Sequence, residues 1–347
     1  MPEPNRYHRQ EILKHFGIEG QQALANGGVL VIGAGGLGCP VLQYLVAAGV
    51  GRIGIVDDDV VDLTNLHRQV LFGQEDIGKN KADTAAVKLK QLNNSVIIES
   101  TNVRVGKDNA LGLIDKYDLI MDCSDNFSTR YLVNDACVIK NKPLVYGAVS
   151  RFEGQVAIFN VNGSGNYRDL FPVMPDDDEV NSCSDTGVLG VLPGVIGSLM
   201  ATEALKYLSG AGSLLVNQLL SYQALTNQFL KVSYSSSKPA TGPADENSFL
   251  KTDYSVACTI PAFVQMIGQP DVVLIDVREQ DELPEMRAFP HIRIPVSQLE
   301  KKLPELSGKR VVLFCKSGAR SSRAAKMLRE QGINASHVIL DLDKQDE

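Results

Sequence analysis

Short apolar runs separated by amphipathic stretches set the pattern of the first two-thirds of the chain. Val29–Ile32 is a β-branched run ending at Gly33, and Leu42, Leu45 and Val46 follow at helical spacing. Ile53–Val56 is a second run, closed by Asp57. Leu119–Met121 ends at Asp122, Leu144–Tyr146 ends at Gly147, and Gln155–Phe159 reads as a further strand. Strands alternating with helical stretches predict an α/β domain with a mostly parallel sheet wrapped by helices. Asn162–Asn181 breaks the pattern with glycines, prolines and the acidic run Asp176–Glu179, and reads as a mobile crossover loop. Val188–Leu208 then reads as a helix with glycine and proline in its first half.

Ser233–Asn247 is rich in Ser, Pro, Gly and Ala, the composition of a linker. The strand–helix alternation restarts beyond it. Val272–Ile275, Val311–Phe314 and Val338–Leu340 read as strands, and Ser321–Gln331 as a helix. The expected organisation is a first α/β domain over 1–232, a linker over 233–248 and a smaller α/β domain over 249–347. No internal repeat links the two.

With 347 residues the chain is long enough for two self-sufficient cores. Its formal net charge of -7 argues against a nucleic-acid partner, whose phosphates require a basic surface. No apolar run approaches a membrane span, and Met1–Gln10 holds no apolar leader segment. Cys39, Cys123, Cys137, Cys183, Cys258 and Cys315 are scattered and form no C-x-x-C pair. A reducing, cytoplasmic setting is expected, with cysteines either buried or chemically used.

The first candidate site is Gly33-Ala34-Gly35-Gly36-Leu37-Gly38, between a strand and a helix. Such a loop lets backbone N–H groups approach a phosphate at the positive end of a helix. Asp57 stands where an acidic residue grips a ribose hydroxyl. These features alone read as nucleotide binding and favour a nicotinamide dinucleotide over ATP. The neighbourhood changes the balance: Asp57-Asp58-Asp59, Asn65-Leu66-His67-Arg68-Gln69, Lys81, Asp122-Cys123-Ser124-Asp125-Asn126 and, earlier, Arg6-Tyr7-His8-Arg9-Gln10. Hydride transfer does not need so many cations. Cleavage of an α–β phosphate linkage does, because charge develops on the phosphoryl oxygens and the leaving pyrophosphate.

The ordered motifs R-Y-x-R-Q, G-x-G-G-L-G, D-x-D, N-L-x-R-Q, G-x-x-K and D-C-S-D-N resemble the adenylating domain of the ThiF/MoeB-type family, relatives of ubiquitin-activating enzymes, over Arg6 to Leu230. The resemblance implies a Rossmann-like domain that adenylates the C-terminal glycine of a ubiquitin-like sulfur carrier with ATP. It places Gly33, Gly35, Gly36 and Gly38 at the phosphates and Asp57 at the ribose, with Asp59 beside it. Asn65, Arg68 and Lys81 fall at the phosphates, with Thr64, Leu66 and His67 in the same nucleotide-binding set. Asp125 would hold magnesium, with Asn126 next to it. Arg9 would reach across a homodimer interface to the terminal phosphates. Many relatives carry zinc on two C-x-x-C pairs. Here the first would fall in Asn166-Tyr167-Arg168-Asp169 and the second near 233–245, and neither has cysteine, so no zinc is expected. Cys183, in Asn181–Gly187 before a helical run, matches a family cysteine that can take the acyl group or join a disulfide-linked intermediate.

The second candidate site is Cys315-Lys316-Ser317-Gly318-Ala319-Arg320-Ser321-Ser322, between a strand and a helix. Backbone N–H groups there favour an anionic sulfur, and Lys316 and Arg320 add positive charge. A cysteine phosphatase needs arginine six positions after the cysteine, where this chain has Ser321. The loop, with Asp276-Val277-Arg278-Glu279 and Ile294-Pro295, resembles a rhodanese, which implies a persulfide on Cys315. The usual Gly-Gly and closing helix of that family are missing after the last strand. The combined expectation is an adenylyltransferase–sulfurtransferase fusion, with a sulfur donor such as a cysteine desulfurase and no membrane partner. Molybdopterin and thiamin pathways both remain open. The alternatives are an NAD-dependent oxidoreductase with an appended rhodanese fold, or a non-catalytic scaffold for a ubiquitin-like partner.

Overall fold

Three strands, buried throughout but for Arg52 at the start of the second, form the centre of the first sheet: β1 (Gly28–Ile32), β2 (Arg52–Val56) and, after β3 (Ile97–Thr101), β4 (Leu119–Asp122). The computed structural model describes residues 5–340 apart from 173, 175–186, 236–241, 253, 255–262, 265, 283–284 and 316–318. The sheet continues through β5 (Leu144–Ser150), β6 (Glu153–Phe159), β7 (Gln218–Gln223) and β8 (Gln228–Ser233). Its order is β3-β2-β1-β4-β5-β6-β7-β8, parallel up to β5 and antiparallel beyond. The helix Gly38–Ala48 connects β1 to β2 and the helix Lys81–Leu92 lies between β2 and β3. The chain then crosses back to place β4 on the other side of β1. That reversal leaves a crevice at the carboxyl ends of β1 and β4, the usual place for a ligand in an open α/β sheet.

The sequence ended a strand at Gly147, but β5 runs on to Ser150 and turns into β6, with Arg151 at φ 51° in the turn. Gly147 packs closely on the helix Leu192–Ser209: a Cβ there would displace the Met200 side chain. That helix starts at Leu192 rather than Val188. Val188 instead bridges to Arg151, and Pro193 sits in the first helical turn, where its missing N–H costs nothing.

The crossover segment holds a short helix. Asn166 and Asp169 form a capping box on the short helix Tyr167–Leu170. Arg168 makes a two-pronged pair with Asp135, at 2.7 Å from Nε and 2.7 Å from Nη2, and stacks over the Tyr131 ring. The Tyr131 hydroxyl donates to the Phe171 carbonyl at 2.8 Å, and Asn134 accepts the Tyr167 N–H at 2.9 Å. Gly242 packs on the same ion pair; a Cβ there would lie 3.0 Å from Asp135 Oδ1. Three chain segments far apart in sequence therefore meet on one largely buried pair. Asp135→Asn should lower the stability of this unit by ~1–3 kcal/mol, because it removes the charge partner of a largely buried guanidinium. Asp135→Leu with Arg168→Met should regain most of that loss. Denaturant midpoints for the two variants check this; equal midpoints for wild type and Asp135→Asn would contradict it.

The chain clusters into two compact units, dividing after Thr252. The helix Glu246–Lys251 belongs to the first: Glu246 pairs with Lys140 at 2.7 Å and Phe249 is fully buried. The second unit has β9 (Val272–Asp276), β10 (Ile292–Arg293), β11 (Arg310–Cys315) and β12 (Asn334–Ile339), all parallel in the order β10-β9-β11-β12. The helix Ala319–Glu330 links β11 to β12. Arg278 is fully buried and balanced by fully buried Asp276, whose carboxylate also takes Arg293 at 2.9 Å.

Candidate active sites

β1 runs into Gly33 at φ +94°, where a Cβ would stand 2.9 Å from the Cys123 carbonyl oxygen, so only glycine fits. The turn delivers the N-terminus of the helix Gly38–Ala48 to the crevice, where its dipole and orphan N–H groups favour an anion. A cleft of about 460 Å³ opens there. Its wall holds Gly33, Gly35 and Gly36 of the loop, Asp57 and Asp59 after β2, and Asn65, Arg68 and Lys81. Asp125 and Asn126 after β4 complete it.

The Asp57 carboxylate is fixed from two sides: the Ala34 N–H donates to Oδ2 at 2.7 Å and the Asp59 N–H to Oδ1 at 2.9 Å. Burial pushes its pKa up, opposed by those two donors. Lys81 is the first residue of the helix Lys81–Leu92, where the helix dipole disfavours a cation, and it is buried. Its ammonium is held 2.9 Å from Asp59, which is itself exposed. A buried cation at a helix N-terminus, facing a cleft, is an arrangement that an anionic ligand makes favourable.

Asp62 caps the short turn Leu63–Asn65 by accepting from the Thr64 N–H at 2.7 Å. Arg68 then folds back, donating to the Thr64 carbonyl at 3.0 Å and meeting His67 Nε2 at 2.8 Å. On the opposite wall, Asn126 caps the helix Phe127–Ile139 through the Thr129 N–H at 2.9 Å, which presents exposed Asp125 to the cleft. Asp122 behind it is buried, and burial pushes its pKa up against the pull of Arg130.

Gly38, Thr64, Leu66 and His67 are not part of the cleft wall. Gly38 is instead required under the loop, since a Cβ would run into the Gly33 carbonyl. The Thr64 hydroxyl is turned onto Asp62 at 2.6 Å, Leu66 packs against the core, and His67 supports Arg68. Arg9 is exposed in the short helix His8–Glu11 and also lies outside this wall. Its neighbours anchor that helix elsewhere: Gln10 donates to the Ala48 carbonyl at 3.1 Å, at the far end of the helix Gly38–Ala48, about 16 Å from its start at 1.5 Å per residue.

Sequence reasoning missed Arg104 and Arg130, which also line the cleft. Arg130 is buried, donates to the Ser124 carbonyl at 3.3 Å, and lies 5.1 Å and 5.6 Å from the Phe127 and Tyr146 ring centres. Its position one turn into the helix that Asn126 caps is the one signal that could have found it. Three cysteines of this unit are chemically quiet. Burial pushes Cys39 up to about 12 and raises Cys123 and Cys137 well above the thiol range. Cys183 lies outside the described residues.

In the second unit, Cys315 ends β11 fully buried. Its Sγ lies 3.4 Å from both the N–H and the hydroxyl of Ser321, in the first turn of the helix Ala319–Glu330. Lys316, Ser317 and Gly318 lie outside the described residues. Arg320, expected as a loop cation, is instead paired through both terminal nitrogens with Glu282, whose pKa is lowered to about 2 chiefly by that hydrogen bond. Among the described residues no group of three His, Cys, Asp or Glu side chains forms a metal cluster. No helix there is long and apolar enough to cross a membrane.

The ThiF family matches residues 7–242 and the rhodanese-like domain matches residues 259–343. The adenylyltransferase and sulfurtransferase MOCS3-1 of Zea mays is 38% identical over 96% of this chain and 79% of its own length. The probable adenylyltransferase/sulfurtransferase MoeZ of Mycobacterium tuberculosis is 39% identical over 95% of this chain and 89% of its own. The sulfur carrier protein adenylyltransferase of Thermus thermophilus is 54% identical over 66% of this chain and 87% of its own. Among solved structures, E. coli MccB with ATP superposes with a TM-score of 0.60 at 23% identity, covering 69% of this chain and 75% of that one, a likeness of fold.

Proposed function

The chain belongs to the ThiF family and carries a rhodanese-like domain, and on that premise we propose that it adenylates the C-terminal glycine carboxylate of a ubiquitin-like sulfur carrier with ATP and transfers sulfur to it through Cys315. It is an adenylyltransferase with a sulfurtransferase domain. The observation that carries this reading is the cleft, in which a glycine loop, Arg68 and buried Lys81 face Asp125 across the carboxyl ends of β1 and β4.

The carrier carboxylate is already ionised at neutral pH, so it needs no general base. It attacks the α-phosphorus in line, the bond to the bridging oxygen breaks, and pyrophosphate leaves an acyl-adenylate. The loop N–H groups, Asn65, Arg68 and Lys81 would hold the phosphates and meet the developing charge, and Asp57 the ribose. Asp125 fits magnesium, which is commonly held by one or two carboxylates together with substrate phosphates. Bound there, the ion would neutralise charge on the phosphoryl oxygens. Arg104 and Arg130 would add to the positive wall. A Cys315 persulfide then attacks the acyl carbonyl and AMP departs. Thiol attack on the resulting acyl disulfide frees the thiocarboxylate, with Cys183 the candidate thiol and an external thiol resetting the disulfide. Carrier-dependent exchange of labelled pyrophosphate into ATP tests the first step; exchange that ignores the carrier would contradict it.

The site is completed by a second copy of the chain. Arg9 lies outside its own cleft, and Ile12, Leu13 and Ile18 beside it are more than half exposed, a surface suited to a homodimer. Mixing inactive Arg9→Ala with inactive Asp125→Ala should restore up to about a quarter of wild-type exchange, since half of randomly formed dimers are hybrids with one intact site. A mixture as inactive as its components would place Arg9 outside the reaction.

A further inference from the structure

Arg320 adjoins Ser321, whose N–H meets Cys315 Sγ, and it is within electrostatic reach of that sulfur. Yet its charge is not presented alone. Glu282 takes both terminal nitrogens, one of them at 2.8 Å, in the forked geometry that makes Arg–carboxylate pairs specific. Glu282 is itself wired into the frame. Its Oε1 accepts the Glu279 N–H at 2.9 Å. Arg293 Nη1 gathers the carbonyls of Glu279, Gln280 and Glu282, and the other Arg293 nitrogens bind buried Asp276. A turn built this firmly holds a carboxylate against the one described arginine of the Cys315 loop.

We propose that Glu282 is a positioning residue that sets which sulfur donor Cys315 accepts: it cancels the charge of Arg320 and so favours a cysteine persulfide carried on a protein over a small dianion such as thiosulfate. The inference deepens the reading of Cys315 as the persulfide carrier and rests on it. In both reactions the Cys315 thiolate attacks the outer sulfur of the donor and a new S–S bond forms. With thiosulfate the bond to the sulfonate sulfur breaks and sulfite leaves with the electron pair, so a dianion must be brought beside a thiolate. With a protein persulfide, R–S–SH, one thiolate leaves and no dianion enters. Only the first reaction gains from an uncompensated guanidinium near Cys315.

Glu282→Gln keeps the shape and frees the charge. The KM for thiosulfate should fall about tenfold with kcat little changed, as expected for a ground-state charge contact. That KM should also become salt-dependent, as an unpaired surface charge requires. The kcat/KM with a cysteine desulfurase charged with cysteine should change by less than about twofold. Glu282→Asp, too short to span both nitrogens, should fall between. An unchanged thiosulfate KM in a Glu282→Gln protein with wild-type melting overturns the proposal. So does a parallel loss with both donors, which marks a merely structural role. Should Glu282→Gln not fold, Glu282→Asp decides: an unchanged thiosulfate KM in that variant overturns the proposal. A wild-type enzyme that takes sulfur from neither donor would instead remove the Cys315 reading itself.

Discussion

Lys81→Met is expected to lower carrier-dependent ATP–pyrophosphate exchange by about a hundred- to a thousandfold, the loss typical of removing one preorganised charge donor. The fold should survive. The ammonium is buried at a helix N-terminus, where it costs stability; its partner Asp59 is exposed, and Asp57, which also feels its charge, keeps two backbone N–H donors. Methionine keeps the apolar stem in place. The melting temperature should therefore stay level or rise slightly while turnover collapses, a split that a structural role for Lys81 would not give. Exchange near the wild-type rate would remove Lys81 from the phosphate site, and with it the main reason to read the cleft as a pyrophosphate-releasing one.

The second large effect is expected at Cys315. Cys315→Ala should abolish thiocarboxylate formation and leave pyrophosphate exchange within about twofold of wild type, because a cycle of independent sites behaves additively. Cys39, Cys123 and Cys137 cannot substitute, since burial holds each thiol protonated. Cys183→Ala should give a weaker or donor-dependent defect. A Cys315→Ala enzyme that still loads sulfur at the normal rate from a physiological donor would take the second unit out of the relay.

The parts legible in the sequence are those encoded locally. The glycine loop, Asp57, Asn65, Arg68 and Asp125 each stand just beyond a strand or in a turn that short-range spacing reveals, and the cleft collects them. Contacts made across distance were not legible. Asp135 and Arg168 are 33 residues apart, and nothing near either announces the other. Glu282 and Arg320 are 38 apart, so Arg320 read as a loop cation. Arg130 was not legible, because its place depends on the Phe127 and Tyr146 rings beside it. β8 was invisible for another reason. All six of its residues are exposed, so its sequence lacks the in–out alternation that marks a strand. Helix Glu246–Lys251 was split between linker and second domain because its one buried residue, Phe249, carries no periodic signal.

The measurement closest to the central claim is the intact mass of the carrier protein after incubation with this enzyme, ATP, magnesium, a persulfidated donor and a reducing thiol. Replacement of the C-terminal hydroxyl oxygen by sulfur should raise the mass by the oxygen-to-sulfur difference with wild-type enzyme. Without the donor the carrier should stop at the acyl-adenylate, and without ATP it should be unchanged. Appearance of the sulfur-bearing carrier in the absence of ATP, or its failure to appear with every component present, would contradict the account.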